Sequence, residues 1–449
     1  MGNIFVGDAD SKARKINNVY VGIDGIARKV KQIYVGDENG IARLIWKSVA
    51  EKLTKFVSSL YKGCLSFTDY YITRFGGCQM GCSKIVKMGE NLYGGTYFKS
   101  GYSNNYEDES TGLIILNIDN NGKINSFFTK EFYQMSGSNI SPYGGTLSIV
   151  TSFGDKKLYA VGYTYTSSDY TTYTHYKFIY DYNTKKTCKR QIETTSSDYS
   201  YIYYNGIARA GDNGVIYLKQ IEARSGAIGF VLYLDYNITI NDDNAFSGES
   251  NSKSIQATST YSRMKLYEID STSGILFEMY NSDATIRFIK YTINTSDDVT
   301  GINRLSLIEL GKYKFPTQYY YCTVVDCNTL LVYTTDGHYS IVDITNNVLS
   351  VYPEQYIEEL KNYIVHRIGN TNTFCLSNSY NTNATLVYVD TNNKTIVPIK
   401  KQNVGIIDHS ENYNCYYASP FGDNSLIYIY FDDDNESYGY AHSIVDTFE

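Results

Sequence analysis

The chain has 449 residues, 43% hydrophobic and 19% charged, with a formal net charge of -7. That length predicts two or three domains or one large repetitive one, and the composition excludes wholesale disorder and a highly charged coiled coil. No window approaches the roughly 18 to 20 uninterrupted apolar residues of a spanning helix, and Met1 to Asp8 lacks the charged and apolar regions of a signal peptide. The expectation is a folded chain, made in the cytoplasm without a signal peptide and not inserted in a membrane.

The charge is unevenly placed. Residues 1–48 hold eight Lys/Arg against five Asp/Glu, leaving 32 against 42 in the rest. An acidic body argues against nucleic acid as its partner, because phosphate binding is driven largely by Lys and Arg. Tyrosine is the outlying residue, with 48 copies against one Trp and five Pro. Together with abundant Asn, Ser, Thr and Asp, that is the palette of strand-rich proteins and of recognition surfaces.

Self-similarity begins at the N-terminus. Ile4 to Asp8, Val19 to Gly25 and Ile33 to Gly40 each lead into an Ala-Arg pair, at Ala13-Arg14, Ala27-Arg28 and Ala42-Arg43. Each unit reads as a short apolar strand, a Gly/Asp/Asn turn and a second strand, which predicts three hairpins. About 45 such residues hold too little core to stand alone comfortably, so the head is expected to dock or oligomerise. Trp46 closes the third repeat and either seats the head on a neighbour or plugs the hairpin core.

These repeats, clearest at Tyr20 to Lys31, resemble the short N-terminal repeats of tail, baseplate and minor structural proteins of phages and phage tail-like particles of low-GC Gram-positive bacteria, particularly clostridia. The resemblance covers residues 1 to about 48 and says nothing direct about the remainder. It implies that residues 1–50 are a virion attachment module, with Arg14, Tyr20, Arg28, Tyr34, Arg43 and Trp46 as candidate attachment residues. Other tail or baseplate proteins would be its partners and the virion its location, in multiple copies per particle.

A looser repeat fills residues 51–449. An apolar strand ends in Asp or Asn, turns and continues, at Leu113 to Asn117, Lys177 to Tyr180, Phe230 to Leu234, Arg287 to Ile293, Ile341-Val342, Leu386 to Val389 and Leu426 to Tyr430. A further strand precedes each: Asn91 to Tyr93, Lys157 to Tyr159, Val215 to Tyr217, Ile275 to Phe277, Leu330 to Val332, Thr373 to Cys375 and Asn414 to Tyr416. Seven units of about 57 residues match antiparallel propeller blades. The fold class is therefore all-β: a small N-terminal hairpin-repeat module followed by a β-propeller of about seven blades. Tyr93-Gly94-Gly95-Thr96 and Tyr143-Gly144-Gly145-Thr146 suggest another phase, so six or eight blades stay open. One Trp excludes the Kelch, WD and Asp-box subclasses as normally defined. Pro353 to Val365 alone carries helical spacing.

In a propeller, the connections after the second and fourth strands of a blade share one end. Thr-Ser-Ser-Asp-Tyr occurs twice, at Thr166 to Tyr170 and Thr195 to Tyr199, in segments expected to meet there. With the long connections Phe98 to Thr111 and Tyr163 to His175, this gives Tyr102, Tyr106, Tyr165, Asp169, Tyr170, Tyr173, Asp198 and Tyr199 as candidate ligand-binding residues. Tyrosine beside Ser, Asn and Asp suits a sugar polymer, whose rings stack while its hydroxyls bridge carboxylates and amides. The alternative is that these tyrosines fill blade interfaces.

Catalytic signals are few. Asp408-His409-Ser410 places triad residue types side by side, whereas triad members must converge in space, and no Gly-x-Ser-x-Gly elbow occurs. The eight cysteines have no completing His for a zinc site and read as reduced thiols. Asp432 to Glu436 lacks the EF-hand ligand pattern. The expectations are no enzyme, no cofactor and no metal. The sequence favours a virion tail or baseplate protein whose propeller binds a bacterial cell-wall or surface glycan. The alternatives are a purely structural subunit and a propeller glycosidase.

Overall fold

The structure is a computed structural model. It describes the strands of the first 47 residues by backbone alone, then residues 53, 56–67, 72–75, 85–99, 110–134, 145–165, 172–196, 200–242, 245–280, 284–316, 321–361, 364–369, 371–377, 385–399, 419–422, 424–433 and 439–449. The chain divides into two compact units, Met1–Lys52 and Leu53–Glu449.

The first unit contains three two-stranded hairpins: Phe5–Gly7 with Ala13–Lys15, Val19–Ile23 with Ile26–Val30, and Gln32–Gly36 with Ala42–Lys47. Their registers are equivalent, with Gly7 opposite Ala13, Gly22 opposite Ala27 and Gly36 opposite Ala42. The repeated Gly and Ala of the sequence thus mark one pairing position beside each turn.

The second unit is a β-propeller of seven blades, which removes the six- and eight-blade options. Blade 1 pairs both Ile72–Phe75 and Val86–Gly89 with Leu92–Lys99, followed by Ser110–Ile118 and Ile124–Gln134. Blade 2 is Gly145–Phe153, Lys157–Tyr165, Thr172–Asp181 and Thr187–Ser196. Blade 3 is Ser200–Arg209, Gly214–Ala223, Ile228–Asp242 and Ala245–Gln256, and blade 4 is Ser262–Asp270, Ser273–Tyr280, Thr285–Ile293 and Leu305–Lys314. Blade 5 is Tyr321–Val324, Thr329–Tyr333, His338–Asp343 and Ser350–Val351, with Gln355–Tyr356 also on its third strand. Blade 6 runs Ile364–Arg367, Thr373–Ser377, Thr385–Asp390 and Thr395–Ile399.

Blade 7 closes the ring. Ser419–Pro420, Ser425–Asp433 and Gly439–Phe448 supply three strands, and Phe56–Phe67 returns from the start of the unit as the fourth. Leu426 to Tyr430 is therefore a second strand, not the third that the repeat suggested. The repeat slipped here because the real third strand ends the chain, and no following turn marks it.

Second strands are the most buried because both faces pack on neighbouring blades. Thr329–Tyr333 is buried throughout, whereas the fourth strand Leu305–Lys314 alternates with exposed positions. Apolar clusters fill the seams between blades. One joins Leu218, Leu232 and Tyr236 of blade 3 to Met264, Leu276 and Tyr291 of blade 4.

In five blades the Asp or Asn at the end of the third strand closes the next turn. Its side-chain oxygen accepts the backbone N–H two residues on at Asp119, Asp181, Asn294, Asp343 and Asp390, at 2.8 to 3.0 Å. Such Asx turns are why Asp and Asn recur there. Blade 3 departs from this. Its third strand continues through Asp235 to Asp242, so Asp235-Tyr236-Asn237 is not the expected turn. Asn237 takes a positive φ of 53° within a register shift between Tyr236 and Thr239, which lets the strand run on.

Two further expectations change. Pro353 to Val365 is not a helix: it holds Gln355–Tyr356, a single 3-10 turn at Glu358–Leu360 and the start of Ile364–Arg367. Pairing of Tyr356 with His338 outweighs the apolar spacing. The two Tyr-Gly-Gly-Thr copies are not equivalent, since Gly94-Gly95 lies in a second strand and Gly145 begins a first.

Candidate functional site

Strand order puts the connections after the first and third strands at one end of the ring, and those after the second and fourth at the other. At the first end these turns touch, as Tyr182 N–H donates to the Lys156 carbonyl at 3.0 Å. The second end bears the segments singled out by the duplicated pentapeptide. Tyr165 and Thr195 both pair with Tyr173, so the strands bounding 166–171 and 197–199 finish at one rung of blade 2.

The strands there are longer than expected: Tyr163, Tyr165, Tyr173 and Thr195 are on strands rather than in loops. Their aromatic and β-branched character sustains the ladder. The Tyr173 ring meets Tyr163 edge-on at 5.5 Å. Tyr165 is placed by its backbone alone. Tyr102, Tyr106, Asp169, Tyr170, Asp198 and Tyr199 lie outside the described residues, as does most of Asp432 to Glu436. Arg14, Tyr20, Arg28, Tyr34, Arg43 and Trp46 sit on hairpin strands whose side chains fall outside the description.

One rung below, polar groups cross the seam between blades 2 and 3. His175 is buried, with Nε2 3.0 Å from Thr195 Oγ1 and Nδ1 3.1 Å from the Tyr204 hydroxyl. Hydroxyls both donate and accept, so a neutral imidazole is satisfied in either tautomer. Burial pushes its pKa down to about 4, with the Lys219 ammonium adding to the drop and Glu193 opposing it. Lys219 is itself buried and paired with Glu193 at 2.6 Å. Deeper in the same seam, Lys177 donates to Asp235 at 2.8 Å and to Ser250 at 2.9 Å, while Tyr159 and Ser250 also donate to Asp235.

The structure brings forward residues that sequence reasoning missed. Among the described residues, Tyr201 (42% exposed), Tyr261 (66%), Tyr321 (42%) and Tyr356 (54%) are the exposed tyrosines. All four belong to the second end. Tyr201 and Tyr321 begin or nearly begin the first strands of blades 3 and 5, Tyr261 directly precedes that of blade 4, and Tyr356 pairs with the first residue of a third strand. Exposed Ile302 and Val348 follow third strands and so belong to the opposite end. A spacing of 60 residues between Tyr201, Tyr261 and Tyr321 was the available signal.

These tyrosines stand on ordered supports. The turn before Tyr261 is fixed by the Glu278 carboxylate, which accepts from Thr258 N–H at 2.8 Å and Thr258 Oγ1 at 3.3 Å and pairs with Arg287 at 3.2 Å. Tyr321 stacks on Tyr333 at 5.6 Å, with the Lys265 ammonium 5.3 Å from its ring centroid. Tyr203 lies within electrostatic reach of Glu222, Arg263, Tyr201 and Tyr173; burial first, then Glu222, raises its pKa. Further along the blade 4 inner strand, Glu268 is reached by water yet largely surrounded by protein, and that desolvation pushes its carboxyl up to about 7 against the opposing pull of Arg209.

No protein-family model matches the chain, and no curated protein matches it. Similar solved structures include a protein from Lactobacillus plantarum, 10% identical with a TM-score of 0.43, covering 77% of this chain and 96% of that one. A prolyl endopeptidase is 11% identical with a TM-score of 0.44, over 84% of this chain and 45% of that one. A protein assigned as a 6-phosphogluconolactonase from Bacteroides uniformis is 10% identical with a TM-score of 0.38, over 78% and 94%. The expectation that the chain is not an enzyme is corrected by this finding: enzymes stand among the similar structures, and that reading is withdrawn. At such identities none of the neighbours' activities passes to this chain, because function resides in sites rather than folds.

Proposed function

We propose that the chain is a tail or baseplate protein of a phage or phage tail-like particle, anchored by its N-terminal repeats, whose propeller binds a bacterial surface glycan. The observation that carries the binding reading is the gathering of exposed tyrosines at one end, where the duplicated Thr-Ser-Ser-Asp-Tyr segments leave blade 2. Tyrosine offers broad apolar area and a hydroxyl at low entropic cost, and copies on one particle add avidity to weak single sites. The particle reading rests on the Tyr-Val-Gly, Asp-Gly and Ala-Arg pattern of residues 4–43.

Cosedimentation of the full chain with washed envelopes of low-GC Gram-positive bacteria tests it, with Gram-negative envelopes as control. Selective pelleting that weakens in Tyr173→Ala supports the reading. Absence of pelleting, even for a multimerised chain, overturns the surface-binding part and favours a subunit that packs only against particle neighbours.

A further inference from the structure

The three tyrosines spaced by 60 residues occupy equivalent places in three consecutive blades. Tyr201, Tyr261 and Tyr321 each stand at the head of an innermost strand. Innermost strands surround the central channel of a propeller, so these rings form an arc at one mouth of it. Packed sheets lie about 10 Å apart, which is roughly the span of a disaccharide. The arc therefore repeats at the step of alternate sugars in a linear polymer.

Cations accompany the rings. Arg263 and Lys265 follow Tyr261 at intervals of two, which places all three on one side of the strand. Lys265 is committed to the Tyr321 ring. Arg263 is exposed, and no hydrogen bond or ion pair engages it among the described residues. A guanidinium presents a planar fork that matches a carboxylate or a phosphate. Glu222, opposite Tyr201 across the strand pair, adds an acceptor for sugar hydroxyls.

We propose that Tyr201, Tyr261 and Tyr321 form a three-ring track for a linear anionic glycan, with Arg263 pairing with its acidic substituent. The proposal rests on the surface-glycan reading above and names the ligand class. It differs from a general sticky surface in its order: the rings bear on alternate sugars, and the charge is read by one residue.

The test uses the full chain against immobilised hexagalacturonate, poly(N-acetylglucosamine 1-phosphate) and neutral chitohexaose. Wild type is expected to bind one of the two acidic probes more tightly than the neutral one, and which of them binds tells carboxylate from phosphate. Tyr201→Ala, Tyr261→Ala and Tyr321→Ala should each weaken that binding about three- to tenfold, while the corresponding Phe variants keep most of it. Arg263→Ala should remove the preference for the acidic probe and flatten its salt dependence. Val348→Ala, an exposed apolar residue at the opposite end of the ring, should bind as wild type does.

Failure of wild type to bind either acidic probe, or track variants no weaker than Val348→Ala, overturns the proposal. Envelope cosedimentation of the same variants separates the two readings. Pelleting that survives all three substitutions sinks the track and leaves surface binding standing. Tyrosine-dependent probe binding without envelope pelleting does the reverse.

Discussion

Asp235 shows how one residue can leave its repeat. At the matching place in five other blades, Asp or Asn closes a turn, yet Asp235 is wholly buried and accepts from Lys177, Ser250 and Tyr159. Removing one partner of such a pair strands the other charge, so Asp235→Ala should cost about 3 to 5 kcal/mol in urea unfolding. Lys177→Met combined with Asp235→Leu should cost clearly less, because no charge is left behind; a double variant as unstable as the single one would refute this. The Asp was legible as a member of the repeat, although the strand runs on through it instead of ending there. Its partner was not, because Lys177 is 58 positions away and only the packing of blade 2 on blade 3 brings it close. His175 carries a related prediction for pH. Its folded pKa of about 4 lies below the ordinary 6.5, so the unfolded chain takes up a proton that the folded one refuses. Its contribution is complete above pH 6.5 and is lost as pH falls toward 4, by roughly 3 kcal/mol in all. In urea midpoints across that window, the wild type should lose more stability than His175→Gln; parallel slopes would contradict it.

At the scale of the strand, the Asp- and Asn-terminated repeat and the apolar run before each copy located the second strands of blades 1 to 6, because those strands are buried on both faces and carry the strongest apolar signal. The loop-bearing end was legible through its duplicated pentapeptide, whose bounding strands finish at one rung of blade 2. Tyr201, Tyr261 and Tyr321 were missed because exposure depends on what the neighbouring blade covers, which no local pattern encodes. Close approach between strands was equally hidden. A Cβ on Gly94 would lie 2.4 Å from Leu158 Cδ1, so the Gly-Gly pair in blade 1 makes room for the buried Leu158 of blade 2. Gly94→Ala should therefore cost about 1 to 3 kcal/mol by overpacking. Adding Leu158→Ala should be less damaging in the Gly94→Ala background than in wild type, where that truncation leaves a cavity and costs about 2 to 5 kcal/mol. Additive losses in chemical denaturation would show that the two sites do not press on each other.

For the whole propeller, stability depends on closing the ring, and closure depends on residues far apart in sequence. Phe56–Phe67 pairs along Gly439–Phe448, and Leu53 N–H donates to Thr373 Oγ1 at 3.1 Å across 320 positions. Ser443 Oγ donates to the Gly122 carbonyl at 2.6 Å, joining blade 7 to blade 1. Contacts of such separation are paid for in loop entropy before they return any energy, so the ring is expected to fold late and to fail as a unit if one tie is missing. A chain starting at residue 53 keeps every tie and should unfold at the same urea midpoint as the full chain, since Met1–Lys52 is a separate compact unit. A chain starting at residue 72 loses the fourth strand of blade 7 and exposes the edge of Gly439–Phe448 to pairing with other molecules. It should unfold at a markedly lower midpoint and associate in sedimentation velocity. Equal midpoints for the two shortened chains would mean that blade 7 holds without its returning strand, and that the seams between blades, rather than the closing strand, keep the ring shut.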